Sequence, residues 1–277
     1  GARQQGHIMA NPRLLIDQDL RPGAAIALDE AQARHVGTVL RLDEGDTLRV
    51  FNARDGEWSA KVSAKSKRGM TVAVDALLRA ARAAPDLDLL FAPVKRHATD
   101  LIVEKATELG VRRIRPVITQ RTIAETVRLD RLQSIAREAA EQTERFDAPE
   151  ILEPVSLAKI VDGWDVSRPL IYADEAGDDA SAPWGGESGR AQAIGDAVKL
   201  WSAGVSPANA VVGEDAGAPY KLALLIGPEG GFTPEERRML RALPFVNAVS
   251  LGPRILRAET AVIAALSVIQ ASWGDWR

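Results

Sequence analysis

Cysteine is missing from the 277 residues, so disulfides and thiolate metal sites are excluded, and a reducing compartment, the cytoplasm, is the expected setting. Histidine is almost missing. Of the three, His7 sits in the leading segment, and His35 with His97 are too few for a metal site built on imidazole. Aromatic residues make up 5% of the chain, which argues against an extended base-stacking platform. No apolar stretch approaches the roughly 18 residues of a membrane span, and no secretory leader is visible. Charge of one sign is also lacking. The formal net charge is −3, so any contact with a polyanion has to be a local patch. Residues 11–84 carry 12 Lys and Arg against 10 acidic residues, and residues 85–277 carry 22 against 28. Residues 1–10 read as a tag remnant with Gly6-His7-Ile8-Met9 as the scar, and the native start is expected near Met9.

Two Gly-Pro turns stand out from what is present. Leu222-Ala223-Leu224-Leu225-Ile226 runs into Gly227-Pro228-Glu229-Gly230-Gly231-Phe232, and Val249-Ser250-Leu251 runs into Gly252-Pro253-Arg254-Ile255-Leu256-Arg257-Ala258-Glu259-Thr260. A buried strand that delivers a tight loop to a sheet edge reads this way. Ligands of open α/β sheets bind at the carboxyl ends of the strands, so two such loops are expected to wall one pocket.

The rest of the chain divides in two. Residues 11–82 read as a small β module. Within it Thr47–Asn52, Glu57–Val62 and Met70–Val74 are strands, Asp55-Gly56 is a hairpin turn, and Glu30–Leu40 is the one helical stretch. Ala80–Asp86 is the linker. Residues 86–277 alternate strand and helix, which predicts a mostly parallel sheet. The strands are Leu87–Pro93, Ile114–Ile118, Pro169–Ala173 and the two that precede the Gly-Pro turns. The helices are Asp100–Leu109, Asp130–Glu144, Pro234–Leu243 and Thr260–Trp273. Thr233-Pro234-Glu235-Glu236 is a strong helix start. Residues 176–219 are rich in Gly, Ala, Ser and Asp, and part of them is expected as a mobile loop, with Ala191–Ser202 able to form a helix.

The turn at Gly227 lacks the Lys-Ser/Thr of a Walker loop and the Gly-x-Gly-x-x-Gly of a dinucleotide site. It remains either a plain strand-to-helix turn or a backbone-exposing cup for a flat, adenosine-like ligand. Arg254, Arg257, Glu259 and Thr260 read either as a helix cap with a solvated ion pair or as an anion-recognising group. Two basic clusters, Arg112-Arg113-Ile114-Arg115 with Arg121, and Lys61, Lys65, Lys67 and Arg68, taken alone read as solvated surface.

Five motifs in order resemble one group of the SPOUT superfamily, the 16S ribosomal RNA (uracil-N3)-methyltransferases. They are His35–Arg41, Glu104–Val111, Glu138–Arg145, Ile226–Phe232 and Leu251–Ala261. The resemblance implies a PUA-like β-barrel for residues 11–82, and for residues 86–277 an α/β domain with a trefoil knot that forms a homodimer. It implies S-adenosylmethionine held by Ile226, Gly227, Pro228, Glu229, Gly230, Gly231, Leu251, Gly252, Leu256, Arg257, Ala258, Thr260 and Ala261. Ala173–Glu175 is a weaker candidate for the same wall. It implies ribosomal RNA, within the small subunit, docked by Arg13, His35, Arg41, Lys65, Lys67 and Arg68, with Arg112, Arg113, Arg115 and Arg121 along the same channel. The sulfonium supplies the electrophile, so the reaction calls for no metal. Arg257 is the expected stabiliser of the uracil anion, and Glu259 either orients Arg257 or takes the proton. A non-catalytic RNA-binding or assembly protein of the same fold and a methyltransferase for another base stay open. A Rossmann-type oxidoreductase is disfavoured by the missing Gly-x-Gly-x-x-Gly turn.

Overall fold

The computed structural model describes residues 11–123, 126–202 and 221–276. The leading segment 1–10 and residues 203–219 of the expected loop lie outside them. Two compact units emerge, Gly1–Ala83 with Ala140–Asp147, and Ala84–Ala139 with Ala148–Arg277. The segment 140–147, which the sequence places in the second domain, therefore belongs to the first unit.

In the first unit, β1 (Arg13–Leu15) and β2 (Ala25–Ala27) precede a short helix α1 (Glu30–Arg34), followed by β3 (Thr47–Asn52), β4 (Gly56–Ser66) and β5 (Gly69–Arg79). The strands form one sheet in the order β1-β3-β4-β5-β2. Alternate residues Leu48 and Val50, Ala60 and Val62, and Met70, Val72 and Val74 face a common core with Leu14, Ile26 and Val36, the period-2 pattern of a half-buried sheet. The β3–β4 hairpin closes where expected. Asn52 Oδ1 accepts from the amides of Arg54 and Asp55, and the turn needs glycine at 56, which takes φ +84 and where a Cβ would lie 2.3 Å from the Arg79 carbonyl oxygen. The helical stretch expected over 30–40 is present, in two parts. A capping box of Asp29 and Gln32 starts it, and after Arg34 the chain widens into a π-type turn, His35–Val39.

A buried ion network holds the returning segment to this sheet. The Glu57 carboxylate accepts from Arg13 at 2.6 Å and Arg79 at 2.7 Å, with Arg49 at 3.4 Å. Burial acts to raise its carboxyl, but the hydrogen bonds from Arg79 and Arg13 prevail and hold it below the usual carboxylate range. Arg49 and Arg79 also pair with Glu144. Arg13 donates to the carbonyls of Ala140, Glu141 and Arg145 and lies over the Phe51 ring. The expectation that Arg13 docks RNA is therefore overturned, because its guanidinium is buried and spent on internal acceptors.

The second unit is a parallel sheet between helices. Its elements in chain order are β6 (Asp86–Phe91), α2 (Arg96–Glu108), β7 (Arg113–Ile118), α3 (Leu129–Gln142), β8 (Glu150–Ile151), β9 (Val155–Ser156), α4 (Leu157–Asp162), β10 (Leu170–Ala173), β11 (Gln192–Ala193), α5 (Ile194–Ser202), β12 (Lys221–Ile226), α6 (Pro234–Ala242), β13 (Val246–Ser250) and α7 (Ala258–Ser272). The strand order is β11-β13-β10-β12-β6-β7-β8, with β9 also on β7, and the pairings are parallel. One face, with Leu87, Leu89, Phe91, Ile171, Leu222 and Leu224, packs on α2, α3, α5 and α7. The other, with Leu90, Leu170, Tyr172 and Leu225, packs on α4 and α6. Strands buried on both faces read as continuous apolar runs, and parallel pairing brings their carboxyl ends to one edge.

Candidate active site

That edge holds a cavity of about 930 Å³. The end of β10, Ala173–Glu175, forms one wall, and the turn after β12, Ile226–Phe232, forms the next. Ile255, Leu256, Ala258 and Ala261, at and before the start of α7, close a third side, and residues 176–185 the outer side.

Close packing shapes the glycine turn. A Cβ on Gly227 would lie 2.5 Å from the ring of Phe232, and that ring meets Tyr172 edge-on with centroids 4.9 Å apart. Gly231 takes φ +69. A second loop braces the turn. Arg121 donates to the carbonyls of Gly230 at 2.9 Å and Phe232 at 3.3 Å. Glu236 completes a capping box with Thr233 and accepts from the Gln120 amide at 2.8 Å. Arg121 thus lines the cavity and supports its backbone.

Charge is concentrated beneath the outer wall. Asp174, with 2% of its side chain exposed, accepts from Arg237 Nε at 2.9 and 3.2 Å and from Arg241 Nε at 2.8 Å. The same two arginines reach onward to loop carbonyls, Arg237 to Ala176 and Gly177 and Arg241 to Gly189. Residues 176–190, the first part of the segment in which a mobile loop is expected, form a hydrogen-bonded strap. Glu175 lies beside this cluster. One of its carboxylate oxygens is shut off from solvent without a hydrogen-bond partner. Burial and the neighbouring Asp174 charge push its carboxyl up to about 7, against the opposing pull of Arg190.

Of the residues expected to hold the cofactor, Ile226, Gly227, Pro228, Glu229, Gly230, Gly231, Leu256, Ala258 and Ala261 line the cavity, whereas Leu251, Gly252, Arg257 and Thr260 do not. Leu251 packs on the core instead. The expected cap at Thr260 is corrected, because α7 starts two residues earlier with Arg257 at its N-cap. Arg257 is exposed and Glu259 half-buried in the first turn, and the expected pairing between them is not formed. Arg113 is engaged by Asp86 and Asp88, and with Arg112 it lies at the amino-terminal end of β7, opposite the cavity. Arg115 donates to the Glu153 carbonyl. These three do not share a channel with the cavity, since parallel strands send their two ends to opposite edges. Arg41, Lys67 and Arg68 are exposed on the first unit, His35 is half-buried, and Lys65 is held by Asp43 and the Leu42 carbonyl.

Sequence reasoning included Asp174 only as part of the weaker Ala173–Glu175 wall, and it missed Arg237, Arg241 and Trp184. The available signal was the i,i+4 spacing of the two arginines on one helix face opposite an acidic residue at a strand end. Among the described residues no group of three or more His, Asp or Glu could hold a metal ion, and no helix is long and apolar enough to cross a membrane.

Comparison with known proteins agrees with this architecture. Residues 82–270 match the profile of an RNA methyltransferase domain, and residues 28–75 that of an RNA methyltransferase PUA domain. The ribosomal RNA small subunit methyltransferase E of Rickettsia conorii is 28% identical over 93% of this chain and 94% of its own. A protein of Legionella pneumophila solved with the cofactor SAM is 30% identical, with a TM-score of 0.78 over 96% of this chain and all of that one. The ribosomal RNA small subunit methyltransferase E of Neisseria gonorrhoeae, solved with S-adenosyl methionine, is 25% identical with a TM-score of 0.74 at the same coverage. The chain belongs to the RNA methyltransferase family, in the form that joins this catalytic domain to a PUA domain.

Proposed function

We propose that this protein uses S-adenosylmethionine to methylate N3 of a uridine in 16S ribosomal RNA of the small subunit. The observation that carries the reading is the cavity at the carboxyl edge of the parallel sheet, walled by both Gly-Pro segments in a chain of this family. The walls suit the cofactor. Ala173, Ile226, Leu256, Ala258 and Ala261 are small or aliphatic against a flat adenine, the glycine turn leaves its backbone open, and the Glu175 carboxylate suits a cationic ligand. When bound, the cofactor supplies an electrophilic methyl on a sulfonium.

The chain's own residues then have two tasks, to seat the base and to make its nitrogen a nucleophile. Arg257 directly precedes Ala258 of the cavity wall, and its guanidinium is exposed, so it is free to balance charge on the uracil as N3 loses its proton. Glu259, two residues on, is the candidate acceptor of that proton. Arg41, Lys67, Arg68 and His35 supply the phosphate contacts from the first unit. The family resemblance extends the reading to a PUA-like barrel for the five-stranded sheet, a trefoil knot through the crossing of β10, β12 and β13, a homodimer and a cytoplasmic setting.

Calorimetric titration with S-adenosylmethionine, with NADH as control, tests the cofactor. Transfer of labelled methyl to small ribosomal subunits, with mapping of the modified base, tests the reaction. Binding of about one cofactor per chain and a label on uridine N3 are expected. A folded protein that binds none, or a label on another base, overturns the reading. Arg257→Ala is expected to slow single turnover at saturating cofactor, and an unchanged rate removes Arg257 from the chemistry.

A further inference from the structure

Trp184 has no part in the mechanism above, yet it lines the same cavity. Its indole is 40% exposed, whereas Ile226, Ala258 and Ala261 across the cavity are nearly closed to solvent. The indole therefore stands at the mouth, and the aliphatic wall lies deeper.

The side chain is held there. Trp184 adopts φ 54 and ψ 28, a left-handed conformation that a bulky residue keeps only where its surroundings impose it. Those surroundings are visible. The backbones of Gly177 and Gly185 touch so closely that a Cβ on Gly177 would lie 2.2 Å from the Gly185 carbonyl oxygen. The Gly177 amide donates to the Trp184 carbonyl at 2.9 Å, and Arg237 fastens the Gly177 carbonyl to buried Asp174. The indole ends over Gly231, where a Cβ would sit 3.2 Å from the ring. A flat apolar surface is thus presented to the cavity by a strap that is fixed before any ligand arrives.

The cavity also has room for more than one ring system. Its volume of about 930 Å³ is near the top of the range, about 300–1,000 Å³, that encloses one drug-sized ligand. Enzymes that modify a base inside RNA or DNA take it out of its stack and hold it between aromatic or apolar side chains.

We propose that Trp184 is the stacking surface for the target base, which lies on the indole at the cavity mouth while the cofactor occupies the deeper space between the Gly-Pro segments. This rests on the methyltransferase reading above. It makes the strap a determinant of RNA recognition.

The test compares Trp184→Ala and Trp184→Phe with wild type in two assays. One is calorimetric binding of S-adenosylmethionine, and the other is methyl transfer to small ribosomal subunits. Loss of one base–aromatic stack predicts a fall of about tenfold or more in kcat/KM for the subunit with Trp184→Ala. Trp184→Phe keeps a ring and is expected to retain most of the activity, and both variants bind the cofactor as wild type does. Wild-type kcat/KM in Trp184→Ala overturns the proposal. A cofactor Kd raised in step with the activity loss also overturns it, by assigning the indole to the cofactor. If wild type itself transfers no methyl, the underlying reading fails and this proposal falls with it.

Discussion

Asp174→Ala probes whether one buried carboxylate organises the outer wall of the cavity. Asp174 accepts three charge-assisted hydrogen bonds, from Arg237 Nε at 2.9 and 3.2 Å and Arg241 Nε at 2.8 Å. Removing one partner of a buried ion pair typically costs about 3–5 kcal/mol, because the remaining charge has lost both its counter-ion and its water. The two guanidiniums keep other acceptors, the carbonyls of Ala176, Gly177 and Gly189, so the expected loss is at the lower end, about 3 kcal/mol. Asp174→Asn retains an acceptor oxygen without the charge, and about 1–2 kcal/mol is expected. At roughly 2–4 °C per kcal/mol for a domain of this size, Asp174→Ala lowers the melting midpoint of the second unit by about 6–12 °C. Scanning calorimetry reads that midpoint, and amide hydrogen exchange across residues 176–190 reads the strap directly. The strap amides are expected to exchange faster in the variant. Added salt is expected to change the difference little, because the pair is shielded from solvent. A midpoint within about 2 °C of wild type with unchanged exchange would refute the assignment of Asp174 as the anchor.

Three further outcomes follow from the same geometry. Glu57→Gln removes the charge and one of the two acceptor oxygens that serve Arg13 and Arg79 and is expected to destabilise the first unit by about 1–2 kcal/mol. Because the Glu57 carboxyl is held below its ordinary value of 4.5, its contribution is full above that pH and is lost as pH falls through the depressed value. Urea unfolding should therefore show the gap to wild type narrowing in acid, and a gap that widens there counts against the network. Gly227→Ala places a methyl 2.5 Å from the Phe232 ring and is expected to cost about 1–3 kcal/mol and to weaken cofactor binding. Gly195→Ala, in helix α5 with open space around the added carbon, serves as the control and should leave cofactor binding unchanged and stability unchanged or slightly raised. The Glu175 carboxyl stands at about 7, above its ordinary 4.5, so its contribution to stability is present below pH 4.5 and lost as pH rises through 7. Glu175→Gln is thus expected to melt above wild type at pH 8, with the advantage gone at pH 4.5. An equal difference at both values would show that the carboxyl does not titrate in this range.

Local signals carried much of the fold. The apolar run that ends at Gly227 is a strand whose turn reaches the edge of the parallel sheet, because a strand covered on both faces has to be apolar throughout, and the less buried strand before Gly252 ends at the same edge. Thr233-Pro234-Glu235-Glu236 starts a helix, because its capping groups lie within four residues of each other. Long-range pairing was out of reach. Arg13 and Arg113 look like surface cations in sequence, and only the folded chain places Glu57, 44 residues away, against the first, and Asp86 and Asp88 of the neighbouring strand against the second. The strap looked unstructured because its composition is poor in apolar residues. Its order comes from Arg237 and Arg241, which belong to a helix some 60 residues further on.

The return of residues 140–147 to the first unit sets an order for biogenesis. The amino-terminal 83 residues leave the ribosome with Arg13 and Arg79 already present, but Glu144 and the carbonyls of Ala140, Glu141 and Arg145 have still to be made. The small unit therefore cannot finish folding until about 60 further residues, including the first strands of the larger unit, have been synthesised. A chain cut at the linker would keep Glu57 but lose the three carbonyls that accept from Arg13 and the Glu144 carboxylate. The first unit is thus discontinuous in sequence, and a fragment of residues 11–83 is expected to be recovered as a folded species only when a peptide spanning 140–147 is supplied with it.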